Sequence, residues 1–144
     1  QWKESCEWVE YRFSPWMSSE TISFDDGSYV YYDENGVRTV LINGWYRLKE
    51  YGTYSWYYFV NGIPASGWMN GYYFDGRGRM CDSRARDSWW NLYMFDENGH
   101  LVKNQWTFRW GNWYYASASG RLYTGERTIN GAKYWFGEDG VWIK

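Results

Sequence analysis

The chain has 144 residues, room for one domain of ordinary size, and its formal net charge of −2 comes without any basic run. That balance argues against nucleic acid as a partner, and no apolar run approaches the roughly 18 residues that cross a bilayer, so no membrane insertion is expected. Rings dominate: 13 Trp, 16 Tyr and 7 Phe stand against far fewer Val, Leu and Ile, so any core must be built mainly of aromatics.

The first 27 residues hold Trp2, Trp8, Trp16, Tyr11 and Phe13 but follow no pattern shared with the rest. The run WVEYRF from Trp8 reads as one strand, and FDDGS from Phe24 as a turn. Residues 1–27 are read as a degenerate N-terminal cap, since terminal repeats are usually atypical, with a linker to an upstream domain as the alternative. No signal peptide is visible, and a chain opening on Gln1 reads as a mature or excised piece. The two cysteines, Cys6 and Cys81, suit a bridge in an exported protein or two half-buried thiols.

From residue 28 onward one unit recurs. YVYY starts at Tyr29, WYYF at Trp56, GYYF at Gly71, LYMF at Leu92, WYYA at Trp113 and KYWF at Lys133, separated by 27, 15, 21, 21 and 20 residues. Each is followed by a turn ending in Gly36, Gly62, Gly78, Gly99, Gly120 or Gly140. Asn-Gly between strand-like runs, as in the two DENG stretches, is the sequence signature of a type I′ hairpin. Each unit therefore reads as strand, turn, short strand and linker. No segment repeats every 3.6 residues, and almost no helix is expected. The expected fold is all-β: a solenoid of stacked short β-hairpins over residues 28–144, about six units of some 20 residues.

Strand alternation turns Trp56 and Tyr58 to one face and Tyr57 and Phe59 to the other. Both faces of one strand are thus aromatic, and each needs a cover. One face is expected to pack along the stack, and the other to meet the next repeat or lie open to a ligand. A second Trp column precedes the hairpins at Trp45, Trp68 and Trp106, on segments read as surface linkers. Gly71 stands where Trp56 and Trp113 stand in other units, Glu126 replaces the last Trp of the column, and Ser88-Trp89-Trp90 fits poorly.

The pattern GW, spacer, WYY, turn, G-x-(M/L)-x-T-G resembles the choline-binding, or cell-wall-binding, repeat. The best copies are NQWTFRWGNWYYASASGRLYTG from Asn104 and the stretch from Gly44 to Gly62. The tail TINGAKYWFGEDG from Thr128 is also similar to repeats of glucan-binding domains and bacterial toxin tails. The resemblance spans roughly residues 28 to 144. In choline-binding members a ligand sits between successive hairpins, walled by the Trp of GW, the first Trp of WYY and the third ring of the next WYY. Carried across, this implies one site at Trp45, Trp56 and Tyr73 and another at Trp106, Trp113 and Trp135. A third, at Trp68, Tyr72 and Met94, is degenerate.

Such cages hold quaternary ammonium on ring faces, each cation–π contact contributing about 0.5–2 kcal/mol. The same rings can instead stack on sugars, with Arg109, Asn112 or Asn70 beside them, or simply fill a core. The resemblance therefore implies a non-catalytic module that anchors an exported bacterial protein to the cell surface through choline on teichoic acid. The alternative is a carbohydrate-binding module for α-glucan or host glycan on the same fold, or another surface polysaccharide as partner. A spacer without a small ligand is the reading from a different class.

Nothing in the sequence points to catalysis, a metal or a cofactor. His100 sits at a hairpin tip, and the pairs Asp25-Asp26, Asp33-Glu34 and Asp96-Glu97 fit turn composition. No spaced oxygen-ligand loop for calcium is present. Any catalytic domain would lie outside this chain. An exposed aromatic end repeat, with Phe136 and Trp142, offers a contact for a homodimer.

Overall fold

The computed structural model describes residues 5–6 and 20–144. The expectations for Trp2, Trp8, Tyr11, Phe13 and Trp16 lie outside these residues. Among the described residues there is no helix. The strands are β1 (Ser5–Cys6), β2 (Thr21–Asp25), β3 (Ser28–Tyr32), β4 (Arg38–Val40), β5 (Gly44–Glu50), β6 (Thr53–Val60), β7 (Ile63–Pro64), β8 (Gly67–Met69), β9 (Tyr72–Phe74), β10 (Arg84–Arg86), β11 (Leu92–Met94), β12 (Gln105–Arg109), β13 (Asn112–Ala116), β14 (Gly125–Ile129) and β15 (Ala132–Phe136). They form six separate sheets of two or three strands, the all-β stack of hairpins expected from the repeat.

Two compact units result, one within residues 8–80 and the other from 81–144 with β1. The first holds the sheets β2-β3-β4, β5-β6-β7 and β8-β9; the second holds β1-β10-β11, β12-β13 and β14-β15. The strand β2 comes from the segment read as a cap, and pairs with β3 around Asp26-Gly27. Every pairing is antiparallel except β1 with β10, where Cys6 aligns with Ala85. Cys81 is fully buried and disulfide-bonded.

The hairpins are built one segment earlier than the turn glycines suggest. WYYF pairs chiefly with the segment before it, Trp45 opposite Tyr58, and WYYA likewise, Trp106 opposite Tyr115. The stretch read as a linker is a full strand. Its tight turns are Tyr51-Gly52, Asn70-Gly71, Trp110-Gly111 and Asn130-Gly131, with positive φ at both residues, as a type I′ turn requires. The DENG turns are a different device. In them glycine alone takes positive φ, Gly36 N–H donates to the Asp33 carbonyl at 2.9 Å, and Asp33 Oδ1 accepts from the amides of Asn35 and Val37. Asp75 and Asp96 repeat the arrangement. The chain then returns for a single bridge, as at Phe74 to Met80 and Phe136 to Trp142.

That return stitches one hairpin to the one before. The amides of Met80, Leu122 and Trp142 donate to the carbonyls of Trp56, Leu92 and Trp113, each at 2.8 Å. Within each unit these hairpins thus meet face to face, and the even residues of the later motif turn back onto the repeat before it. Tyr57 and Phe59 are fully buried with Ile22, Leu41 and Leu48; Tyr114 and Ala116 are buried with Leu92, Met94 and Leu122. Close packing fixes the turn as well, since a Cβ at Gly120 would lie 2.6 Å from a Leu101 methyl. Glu50, buried in the first unit as Asp75 is, accepts hydrogen bonds from the Tyr57 hydroxyl at 3.1 Å and the Thr21 hydroxyl at 3.3 Å.

Candidate ligand cages

The odd face of each motif decides what lies between two hairpins. Where that face carries Leu92 and Met94, the next hairpin closes on it and the interface is solid core. Where it carries an indole at the first position, the interface stays open. Trp56 and Trp113 are 41% and 43% exposed, so neither is a core residue in the ordinary sense.

The open interface at Trp113 is a hollow of about 280 Å³ lined by Trp106, Trp113, Tyr134 and Trp142. Trp106 and Trp113 stand nearly perpendicular, 6.3 Å between centroids at 85°. Tyr134 of the next hairpin meets Trp106 at 5.1 Å and 72°, and Phe136 lies under the same indole at 5.8 Å. Trp142, on the returning segment, stands 6.2 Å from Trp106 and 6.3 Å from Tyr134. Four ring systems line the hollow and no charged or amide side chain joins them.

Trp45 repeats this geometry in the first unit. It meets Trp56 at 6.2 Å and 83°, Tyr72 at 5.0 Å and 75°, and Phe74 at 5.7 Å and 36°. The fourth wall differs. Met80 holds the bridge position that Trp142 holds in the other cage, each opposite the last ring of its motif.

Four of the sequence-derived wall residues are brought together in pairs, Trp45 with Trp56 and Trp106 with Trp113. The third wall is a correction. Tyr73 is buried and packs edge-on against Trp68 of its own hairpin at 5.1 Å, and Trp135 carries the Lys144 ammonium at 5.3 Å over its ring. The third position of a motif faces the repeat that follows, so the wall supplied to the preceding repeat is the second residue, Tyr72 or Tyr134. The degenerate trio separates for the same reason: Tyr72 turns to Trp45, away from the face that meets Trp68, and Met94 is buried in the core of the second unit. Sequence reading missed Tyr134, Trp142 and Met80. Aligning the second residue after each turn glycine, Gly78, Gly120 and Gly140, would have placed Met80, Leu122 and Trp142 together.

The missing Trp of the β10–β11 hairpin is replaced by an arginine. Arg84 stands opposite Met94, as Trp106 stands opposite Tyr115. Its guanidinium lies 5.3 Å over Trp110 and 5.5 Å over Tyr114, and donates to the Asp139 carbonyl at 2.9 Å. Burial raises the Tyr114 hydroxyl above its ordinary range against the opposing pull of Arg84. Arg109, a candidate sugar contact, is committed to the Phe95 carbonyl at 2.9 Å and the Asp82 carbonyl at 3.2 Å. Phe136 is buried beneath Trp106, and Trp142, 39% exposed, walls the cage.

Solved structures similar to this chain include choline-binding proteins of Streptococcus pneumoniae. Choline binding protein F of Streptococcus pneumoniae, solved with a peptidoglycan analogue, is 26% identical, with a TM-score of 0.57 over 87% of this chain and 41% of that one. The repeat is similar to that of these choline-binding proteins. CbpJ of the same organism is 27% identical, with a TM-score of 0.56 over 96% of this chain and 48% of its own. The choline-binding domain of CbpL is 25% identical, with a TM-score of 0.53 over 88% and 78%. The chain spans about two fifths of the length of choline binding protein F. No protein-family model and no curated protein sequence matches it.

Proposed function

We propose that this chain is a non-catalytic binding module that holds choline in the cages at Trp45 and Trp106, and so anchors an exported bacterial protein on choline-bearing teichoic acid at the cell surface. The observation that carries this reading is the lining of the Trp106 hollow. Trp106, Trp113, Tyr134 and Trp142 offer ring faces alone. Quaternary ammonium donates no strong hydrogen bond and is held by such faces, at about 0.5–2 kcal/mol per contact. A sugar needs polar partners beside its stacking ring. Arg109, the best candidate for that part, is already spent on two carbonyls. The likeness to solved choline-binding domains supports the same ligand.

A few kcal/mol in total corresponds to a dissociation constant of about 1 mM for a single cage. Two cages on one polymer gain by multivalency what each lacks. Retention on a tertiary-amine resin and elution by free choline test the proposal; a folded chain that passes through unretained overturns it.

A further inference from the structure

One turn departs from all others. Asp87 opens it as Asp33 and Asp96 open theirs: its Oδ1 accepts from the amides of Trp89 and Asn91, and its carbonyl accepts from the fourth residue at 3.0 Å. At Gly36, Gly78 and Gly99 that fourth residue is a glycine with positive φ. Here it is Trp90, at φ 68°. A bulky side chain in the left-handed region is strained, and such strain gathers at functional sites. Burial does not account for it, because the Trp90 side chain is 73% exposed. What the turn achieves is placement of an indole beside a hollow.

That hollow, of about 310 Å³, lies in the second unit, distinct from the Trp106 cage, and its lining is of another kind. Trp90 forms one wall; Ser117, Ser119, Arg121 and Arg127 supply polar groups. Arg86 lies 4.8 Å over the Trp90 ring and donates to the Trp90 carbonyl at 3.0 Å, which fixes the indole. Arg127, which lines the hollow, stacks on Tyr123 at 4.8 Å and donates to the Thr124 carbonyl through Nε. Arg121 shares a hydrogen bond with Tyr93. Ser117 and Ser119 hydroxyls are paired at 3.1 Å and can both turn to a ligand.

We propose that this hollow binds an anionic saccharide, its ring on the Trp90 indole, its hydroxyls on Ser117 and Ser119, and its phosphate or carboxylate between Arg121 and Arg127. Guanidinium forks match both oxyanions, and an indole beside hydroxyls suits a sugar face. The site does not rest on choline recognition.

The test is saturation-transfer NMR on the full chain in excess choline chloride, which occupies the cages, with three probes: N-acetylglucosamine-1-phosphate, N-acetylmuramic acid and neutral N-acetylglucosamine. Saturable binding of either or both anionic sugars, with at least tenfold weaker binding of the neutral one, is expected. A response to only one anionic probe identifies the oxyanion. Trp90→Gly installs the residue that the other turns use, so it folds, and should weaken binding at least tenfold; Arg127→Gln should do the same. Equal binding of the neutral sugar, no binding of any probe, or unchanged binding in folded Trp90→Gly would overturn the proposal.

Discussion

Trp106 and Tyr134 belong to different hairpins, yet their rings meet at 5.1 Å and 72°, within a few degrees of the angle between Trp45 and Tyr72. The match means that a cage is a property of the junction between repeats and of no single repeat. The second residue of the following motif closes it, and the third does not. Tyr134→Ala is therefore expected to weaken choline binding at the Trp106 cage about 3- to 30-fold, the equivalent of one lost cation–π contact. Trp135→Ala should leave it within twofold. Fluorescence or calorimetric titration of the two variants separates them, and equal losses would point to the third position after all.

The two cages differ at one wall, Met80 against Trp142. A thioether is polarizable but lacks the quadrupole of an indole face. The Trp45 cage should bind choline more weakly, by a few-fold. Met80→Trp is expected to bring the two affinities together, which two-site calorimetry reads directly.

Glu50 and Tyr57 form a buried pair whose pH dependence has a definite sign. Burial pushes the Tyr57 hydroxyl well above the usual tyrosine range, and the Glu50 carboxylate that accepts its hydrogen bond pushes it further. The folded protein therefore keeps a proton that the unfolded chain loses at about pH 10. This contribution to stability is fully present below that pH and falls as pH rises past it. Tyr31, Tyr93 and Tyr114 are raised too, each first by burial. Urea midpoints at pH 8, 10 and 11 should decline steeply above 10, and Tyr57→Phe should flatten that decline while lowering stability at pH 8, since Glu50 loses a donor.

Arg84 fills, with a cation of the chain's own, the register position that other hairpins give to Trp. Removing it takes away two ring contacts and the hydrogen bond to the Asp139 carbonyl. Arg84→Ala should cost about 1–3 kcal/mol of unfolding free energy, with choline affinity at the Trp106 cage changed little. A denaturation midpoint and a choline titration on the same variant check both halves.

Much of this architecture was legible in the residues. The spacing of the YYF motifs gave the repeat, and the two-faced aromatic strand gave the need for covers on both sides. The Trp column at Trp45 and Trp106 was legible because an indole at regular spacing has few other uses. What the residues did not carry was the rotation from one hairpin to the next. Alternation within a strand says that Tyr134 and Trp135 point opposite ways, but not which way is back; that is set by the amides of Met80, Leu122 and Trp142 bonding to the preceding hairpin. Hairpin register was missed for a related reason. Tyr51-Gly52 and Trp110-Gly111 are type I′ turns without Asn or Asp, where tertiary packing imposes a positive φ that local preference disfavours. Arg84 was invisible as a member of the Trp column because its likeness to Trp106 lies in position alone.

The most direct test of the central claim is a choline titration followed by tryptophan fluorescence, on the native chain and on Trp45→Ala and Trp106→Ala, with a neutral glucan oligosaccharide titrated in parallel. The cages predict a saturable choline response near millimolar concentration from two sites, one lost in each variant, and no response to the glucan. A folded native chain that ignores choline, or responds to the glucan alone, would contradict the account.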